Sequence, residues 1–182
     1  MSESMGETRL GGEEVYSGRI LRLEVDRVEL PTGAESLREV VRHRGAAVVL
    51  PLLDDGRVVM VRQYRYPVGE SILELPAGTL EPGEDPVACA ARELAEETGF
   101  KAGSVSVLGG FYAAPGYTDE RLTAVLATGL QPVSGVAPDP DEIIEIEILD
   151  RTEVLRRIEA GEIRDSKTLA TILLAQLNGS FR

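Results

Sequence analysis

The stretch from Gly78 to Phe100, GTLEPGEDPVACAARELAEETGF, constrains the fold more than any other part of the chain. Asp85-Pro86 opens a helix, because aspartate caps free amides and proline suits the first helical position. Gly99 closes it, since glycine tolerates the left-handed geometry past a last turn. Between these ends Val87, Ala90, Ala91, Leu94 and Thr98 recur at helical spacing and form the expected buried stripe. Glu93 and Glu97 are four residues apart and share one side of the helix. Glu96 lies beside them, one turn after Arg92.

Such clustering is locally unfavourable. Carboxylates repel one another, and Glu96 and Glu97 occupy the end of the helix whose dipole prefers cations, at a cost of about 0.3–1 kcal/mol for each misplaced charge. No Lys or Arg lies between Glu93 and Phe100. A divalent cation would relieve the repulsion, and magnesium, a hard ion, takes one or two carboxylates together with waters and substrate phosphates. A solvated acidic face with an Arg92–Glu96 pair would account for the helix alone. It does not account for Gly78, Glu84 and Gly99 standing in register with it. Gly78, Glu84, Arg92, Glu93, Glu96, Glu97 and Gly99, with apolar Leu94 and Phe100, together resemble the Nudix box, the signature of hydrolases that cut a diphosphate linked to another group.

At 182 residues the chain suits one domain with a substantial core. Its net charge of −12 argues against non-specific nucleic-acid binding, which needs clustered Lys and Arg. An anionic substrate must therefore be drawn in by metal ions and a few local arginines. One cysteine, Cys89, rules out an intrachain disulfide and reads as a small packing residue of the helix. One histidine, His43, leaves no His-based metal site or triad. The longest near-apolar stretch, Gly45 to Leu53, is too short to span a membrane. Residues 1–12 are polar, with no apolar signal core, and are expected to be a loose tail on a cytoplasmic protein.

Strands are expected over 13–30 and 36–43, separated by the turn Pro31-Thr32-Gly33. Ala46 to Leu53 reads as a fully buried strand, and Asp54-Asp55-Gly56 as a hairpin turn into a strand over Arg57–Tyr66. A strand at Ile72–Leu75 and a loop over 76–84 lead to the acidic helix. Further strands follow at Ser104–Ala113, Arg121–Thr128 and Glu142–Leu149, then helices at Arg151–Ala160 and Asp165–Leu177. No linker or repeat interrupts the pattern, so a single domain is expected over 13–177, with 178–182 as a C-terminal tail. These patterns alone support α/β or α+β. The resemblance implies a Nudix fold, a mixed sheet between helices, preceded by an antiparallel β-hairpin over 13–43.

Downstream, Ala114-Pro115-Gly116-Tyr117-Thr118-Asp119-Glu120 places a proline fifteen positions after Phe100. This stretch resembles the ADP-ribose pyrophosphatase branch. So do the leading hairpin, Arg65 in VRQYRYP, Glu74-Leu75-Pro76-Ala77-Gly78, and the late Asp165-Ser166-Lys167-Thr168. Taken locally, Pro115-Gly116 fits a type II turn, which would hold Tyr117 and Glu120 rigidly. The resemblance implies that the Ala77 carbonyl, Glu93 and Glu97 bind magnesium (or manganese), with Glu96 sharing a further ion. It implies that Arg92 orients the glutamates, that Gly78 permits the tight loop presenting Ala77, and that Glu84 braces that loop or joins the metal shell through water. Arg44, Arg65, Glu74, Pro115, Gly116, Tyr117 and Glu120 are the candidate substrate contacts. Water would attack one phosphorus, turning ADP-ribose into AMP and ribose 5-phosphate. The general base would come from Asp139, Asp141 or Glu142, with Glu142 narrowly favoured; relatives commonly carry glutamates there, and Pro140 and the aspartates depart from that. A homodimer is also implied. Alternatives are another nucleoside diphosphate sugar, FAD or an oxidised nucleotide as substrate, or a nucleotide sensor without activity. Such sensors often lose box glutamates, whereas this chain keeps them all.

Overall fold

The computed structural model describes residues 5–135 and 143–181. They form two compact units, the first from the N-terminal 45 residues with Tyr112–Arg121, the second from Ala46–Phe111 with Leu122–Arg182.

The first unit carries a three-stranded antiparallel sheet of β1 (Thr8–Ser17), β2 (Arg22–Glu29) and β3 (Glu35–Arg42), in that order. The expected hairpin is thus longer by one strand. What reads as a single strand over 13–30 folds back on itself at residues 18–21, where the Gly18 N–H donates to the Leu21 carbonyl at 2.9 Å. Strand β1 begins at Thr8, inside the stretch expected to be a loose tail, because backbone pairing with β2 holds even polar residues. The turn at Pro31-Thr32-Gly33 forms as expected, with Gly33 at φ 82 and the Leu30 N–H bonded to the Ala34 carbonyl at 2.8 Å.

The second unit is built around β4 (Ala46–Pro51), every residue of which is buried. The elements after it are β5 (Val58–Arg65), β6 (Glu70–Glu74), β7 (Ala77–Thr79), α1 (Pro86–Thr98), β8 (Phe100–Lys101) and β9 (Ser104–Tyr112). Then come β10 (Arg121–Thr128), β11 (Gln131–Pro132), β12 (Ile144–Leu149), α2 (Arg151–Glu159) and α3 (Ser166–Leu177). One sheet runs β7-β4-β10-β9 and is mixed, β4 pairing parallel with β10 and antiparallel with β7. A second, antiparallel sheet runs β12-β5-β6. The short pair β8 and β11 is antiparallel.

Because side chains alternate across a strand, β4 feeds two cores. Val48 and Leu50 join Ala124 of β10, Val58 and Met60 of β5, Leu73 and Leu75, Val154 of α2 and Ile172 and Ala175 of α3. Ala47 and Val49 join Val125 and Ala127 of β10 and Cys89, Ala90 and Leu94 of α1. Helices therefore cover the mixed sheet on both faces, as expected. The continuous apolar run at β4 is explained by this double burial, since neither face meets water.

Three local readings differ from expectation. The loop over 76–84 contains β7, because Ala77, Gly78 and Thr79 complete the ladder along β4. Within α1, Ala91 faces solvent, while Cys89 and Glu97 are buried with Ala90, Leu94 and Thr98. At the C-terminus Phe181 is only 3% exposed and stacks under Arg151, its ring centroid 5.6 Å from the guanidinium carbon. An apolar ring of that size is drawn into the core rather than left in a tail.

Leu50 has no exposed surface and sits where both sheets and α3 meet. Leu50→Ala should lower unfolding free energy by about 2–5 kcal/mol, as read by urea denaturation.

Candidate active site

The site is assembled where α1 lies against β7. The helix is capped as its sequence suggests: Asp85 accepts from the Val87 and Ala88 N–H groups at 2.9 and 3.3 Å. Gly99 takes the left-handed conformation at φ 67, its N–H bonded to the Ala95 carbonyl at 3.0 Å. Fixed ends set the rotation of the helix, and Leu94 and Ala90 seat it on β4. Glu93 and Glu97 are thereby turned toward Gly78 and Ala77. The Ala77 N–H donates to Glu97 Oε2 at 3.1 Å. Glu97 is 4% exposed, which is unusual for a carboxylate.

The absence of a side chain at Gly78 is what lets the Glu93 carboxylate lie against the backbone. A Cβ there would stand 1.8 Å from Glu93 Oε1 and 2.0 Å from its Cδ, far inside any allowed separation. Its φ is not positive, so the residue serves close approach rather than the tight loop that its position in the motif suggests.

Arg92 ties the remaining carboxylates together. Its Nε and Nη2 donate to the two oxygens of Glu84 at 3.0 and 3.1 Å. Its Nη1 donates to Glu93 Oε1 at 2.7 Å and Glu96 Oε2 at 3.0 Å. Glu84 also accepts the Glu81 N–H at 2.9 Å, so it braces the loop before α1. Hydrogen bonding from Arg92 is the main reason the Glu84 carboxyl is held down at about 2, against an ordinary value of 4.5. The same bond raises the Arg92 guanidinium above its usual range. The Cys89 thiol is pushed up to about 12, chiefly by burial, and lies 3.5 Å from the Gly78 carbonyl. It is an inert packing residue.

Among the described residues no three His, Cys, Asp or Glu side chains are grouped to hold a metal ion by themselves. Arg92 stands among Glu84, Glu93 and Glu96. The donors nonetheless suit a hard dication: two poorly exposed carboxylates, Glu93 and Glu97, against the backbone at Ala77–Gly78.

Of the candidate substrate residues in this unit, Arg65 and Glu74 meet each other. Arg65 donates through Nε and Nη2 to Glu74 Oε1 at 2.8 and 2.7 Å. Glu74 is 1% exposed, and its Oε2 is taken by Lys167. Arg65 keeps about a third of its side chain exposed. Lys167 and Thr168 of α3 carry contacts for which the sequence offered a motif but no roles.

The other candidates lie in the first unit. Arg44 borders a cavity of about 350 Å³ lined also by Arg19, Arg22, Arg42 and His43, a basic surface on an acidic chain. Pro115, Gly116 and Tyr117 line a second cavity of about 440 Å³ with Arg38, Val40 and Tyr112. Their turn differs from the type II expectation. Gly116 lacks positive φ, and the Ala114 carbonyl accepts from both Tyr117 and Thr118 at 3.1 Å, which makes a single helical turn. Glu120 lies 3.6 Å from His43 Nδ1. Asp139, Asp141 and Glu142 fall outside the described residues.

Comparison with known proteins identifies the family. Residues 41–172 match the NUDIX domain, and residues 7–41 match the nucleoside diphosphate sugar hydrolase N-terminal domain. The chain belongs to the Nudix family. It is 40% identical to the methanol dehydrogenase activator of Bacillus methanolicus, over 100% of this chain and 99% of that one. It is 39% identical to the ADP-ribose pyrophosphatase of Bacillus subtilis, over 96% and 95% of the two chains. A crystal structure of an ADP compounds hydrolase superposes with a TM-score of 0.85 at 25% identity, covering 98% of each chain. The protein is a Nudix hydrolase. No helix among the described residues is long and apolar enough to cross a membrane.

Gly78→Ala should displace Glu93 and abolish most activity while leaving the far-UV circular dichroism unchanged. Glu84 has its pKa lowered by folding, so its contribution to stability is complete above about pH 4.5 and is lost as the pH falls toward about 2. The stability gap between the wild type and Glu84→Gln, measured by urea titration, should therefore be constant from pH 7 to 5 and shrink below pH 4.5.

Proposed function

We propose that this chain hydrolyses the diphosphate bond of ADP-ribose to AMP and ribose 5-phosphate. The observation that carries the reading is the placement of Glu93 and Glu97 against Gly78 and Ala77, since it sets hard oxygen donors in a confined site. The substrate class is supported by the match of residues 7–41 and by the name of the B. subtilis relative.

Glu93, Glu97 and the Ala77 carbonyl would hold magnesium (or manganese), with Glu96 available for a second ion. Bound there, a divalent ion supplies charge that acidifies water and neutralises the diphosphate. The chain's own residues do the rest. Arg92 holds Glu84, Glu93 and Glu96 together and oriented through charge-assisted bonds. Gly78 gives Glu93 room. Arg65 and Arg44 are the proposed partners of the diphosphate or the adenine, and Pro115, Gly116, Tyr117 and Glu120 further substrate contacts. The water oxygen forms a new bond to one phosphorus, the bond from that phosphorus to the bridging oxygen breaks, and the bridging oxygen leaves with the other phosphate. The water proton passes to a carboxylate, for which Glu142 is favoured over Asp141 and Asp139. The protein is proposed to act in the cytoplasm as a homodimer.

Turnover of ADP-ribose with magnesium should release AMP, followed by chromatography, and Glu97→Gln should abolish it. Cleavage of a different diphosphate instead would retain the catalytic assignment and discard the substrate. No cleavage of any diphosphate with magnesium or manganese would point to a sensor.

A further inference from the structure

Residues 74–77 link the buried end of β6 to the start of β7, and each is held by a separate bond. Glu74 accepts Arg65 on one oxygen and Lys167 on the other. The Leu75 N–H donates to Thr168 Oγ1 at 2.8 Å. The Pro76 carbonyl accepts the Val49 N–H at 2.9 Å. The Ala77 N–H donates to Glu97 Oε2 at 3.1 Å.

Two of these five bonds, those of Lys167 and Thr168, come from the first turn of α3, which is itself tightly ordered. Asp165 caps the helix, accepting from the Thr168 N–H at 2.9 Å and the Thr168 hydroxyl at 2.7 Å. That hydroxyl proton is thus committed to Asp165, and the oxygen lone pairs face the Leu75 N–H. Lys167 Nζ lies 3.1 Å from Asp165 Oδ2, so one ammonium bridges the cap and Glu74. Thr168 has no exposed surface and Lys167 keeps only 14% of its side chain exposed. Water cannot replace the Thr168 bond without entering the core, while the Lys167 bond lies at its margin.

We propose that the first turn of α3 is a positioning clamp for the catalytic backbone. Lys167, through Glu74, and Thr168, through the Leu75 N–H, set the place of Ala77 opposite Glu97. Glu74 in this arrangement is a positioning residue that holds both Arg65 and the segment leading to Ala77, and it does not itself touch substrate. The clamp rests on the assignment of Ala77, Glu93 and Glu97 as the metal site. Residues that orient metal ligands from outside the coordination shell characteristically cost 10–100-fold in metal affinity or activity when removed.

Thr168→Val keeps the shape of the side chain and removes the acceptor for Leu75. Two readouts test it. Manganese binding without substrate, followed by electron paramagnetic resonance of the free ion, should weaken about tenfold or more. With magnesium and ADP-ribose, kcat should fall by a similar factor while KM changes less than about threefold, because Ala77 and not the substrate contacts is displaced. Thr168→Ser, which restores the oxygen, should recover both, and Lys167→Arg should recover what Lys167→Met loses. If Thr168→Val and Lys167→Met lower the melting temperature but leave manganese affinity at the wild-type value, the clamp is overturned and α3 is merely structural. If Thr168→Ser is as impaired as Thr168→Val, the hydroxyl is not the anchor, and the proposal also fails. Wild-type protein that binds manganese but cleaves no ADP-ribose would remove the proposed substrate and leave the manganese comparison to judge the clamp. Wild-type protein that binds no manganese would remove the metal site and the clamp with it.

Discussion

Strand β4 has no face toward water, and the rest of the second unit follows from that. A strand buried on both sides must be covered by two different layers, and its alternation sends Val48 and Leu50 one way and Ala47 and Val49 the other. Slipping its register by one residue would exchange the small Ala47 for the larger Val48 against α1. The pairing is therefore well specified, and with it the pairing of β7, where Ala47 faces Gly78 and Val48 faces Ala77. The same strand that organises both cores also places the backbone that the acidic helix meets.

On that frame the electrostatics become intelligible. Four glutamates within about four turns of chain are a liability in isolation. Arg92 offsets it by giving its guanidinium to Glu84, Glu93 and Glu96 at once. Glu97 is handled differently, by burial against an amide. A carboxylate in such a place is costly unless positive charge or donors compensate it. The network around Glu74 follows the opposite logic, with two cations converging on one buried carboxylate. One cluster keeps an excess of negative charge, with three glutamates around one arginine, while the other brings two cations to one carboxylate.

Much of this could be read from the residues. The ends of α1 were legible because Asp85, Pro86 and Gly99 act locally, through capping and φ preference. The burial of β4 was legible because an unbroken apolar run leaves no polar face. The break between β1 and β2 was only faintly legible, since the turn pair Ser17-Gly18 is followed at once by the strand-like Ile20 and Leu21. Ala91 was misread as buried because helical spacing defines a stripe but not which residues at its margins meet a neighbour. At Pro115-Gly116 the dipeptide favours type II, yet the two bonds to the Ala114 carbonyl select a helical turn.

By itself the sequence determined the chemistry of the site: which carboxylates cluster, which helix carries them, and which family the chain resembles. These depend on residue type and short spacing, which are set before folding. Tertiary structure alone decided which of those groups face one another. Gly78 lies fifteen residues before Glu93, and no local rule states that their atoms would collide if a methyl were added. Glu74 meets Lys167 across more than ninety residues of chain, a pairing created only when α3 packs against the core. Spacing along the chain defines candidates. The packing of β4, β7, α1 and α3 brings them together, because burying the apolar faces of these elements against one another fixes where their polar residues lie.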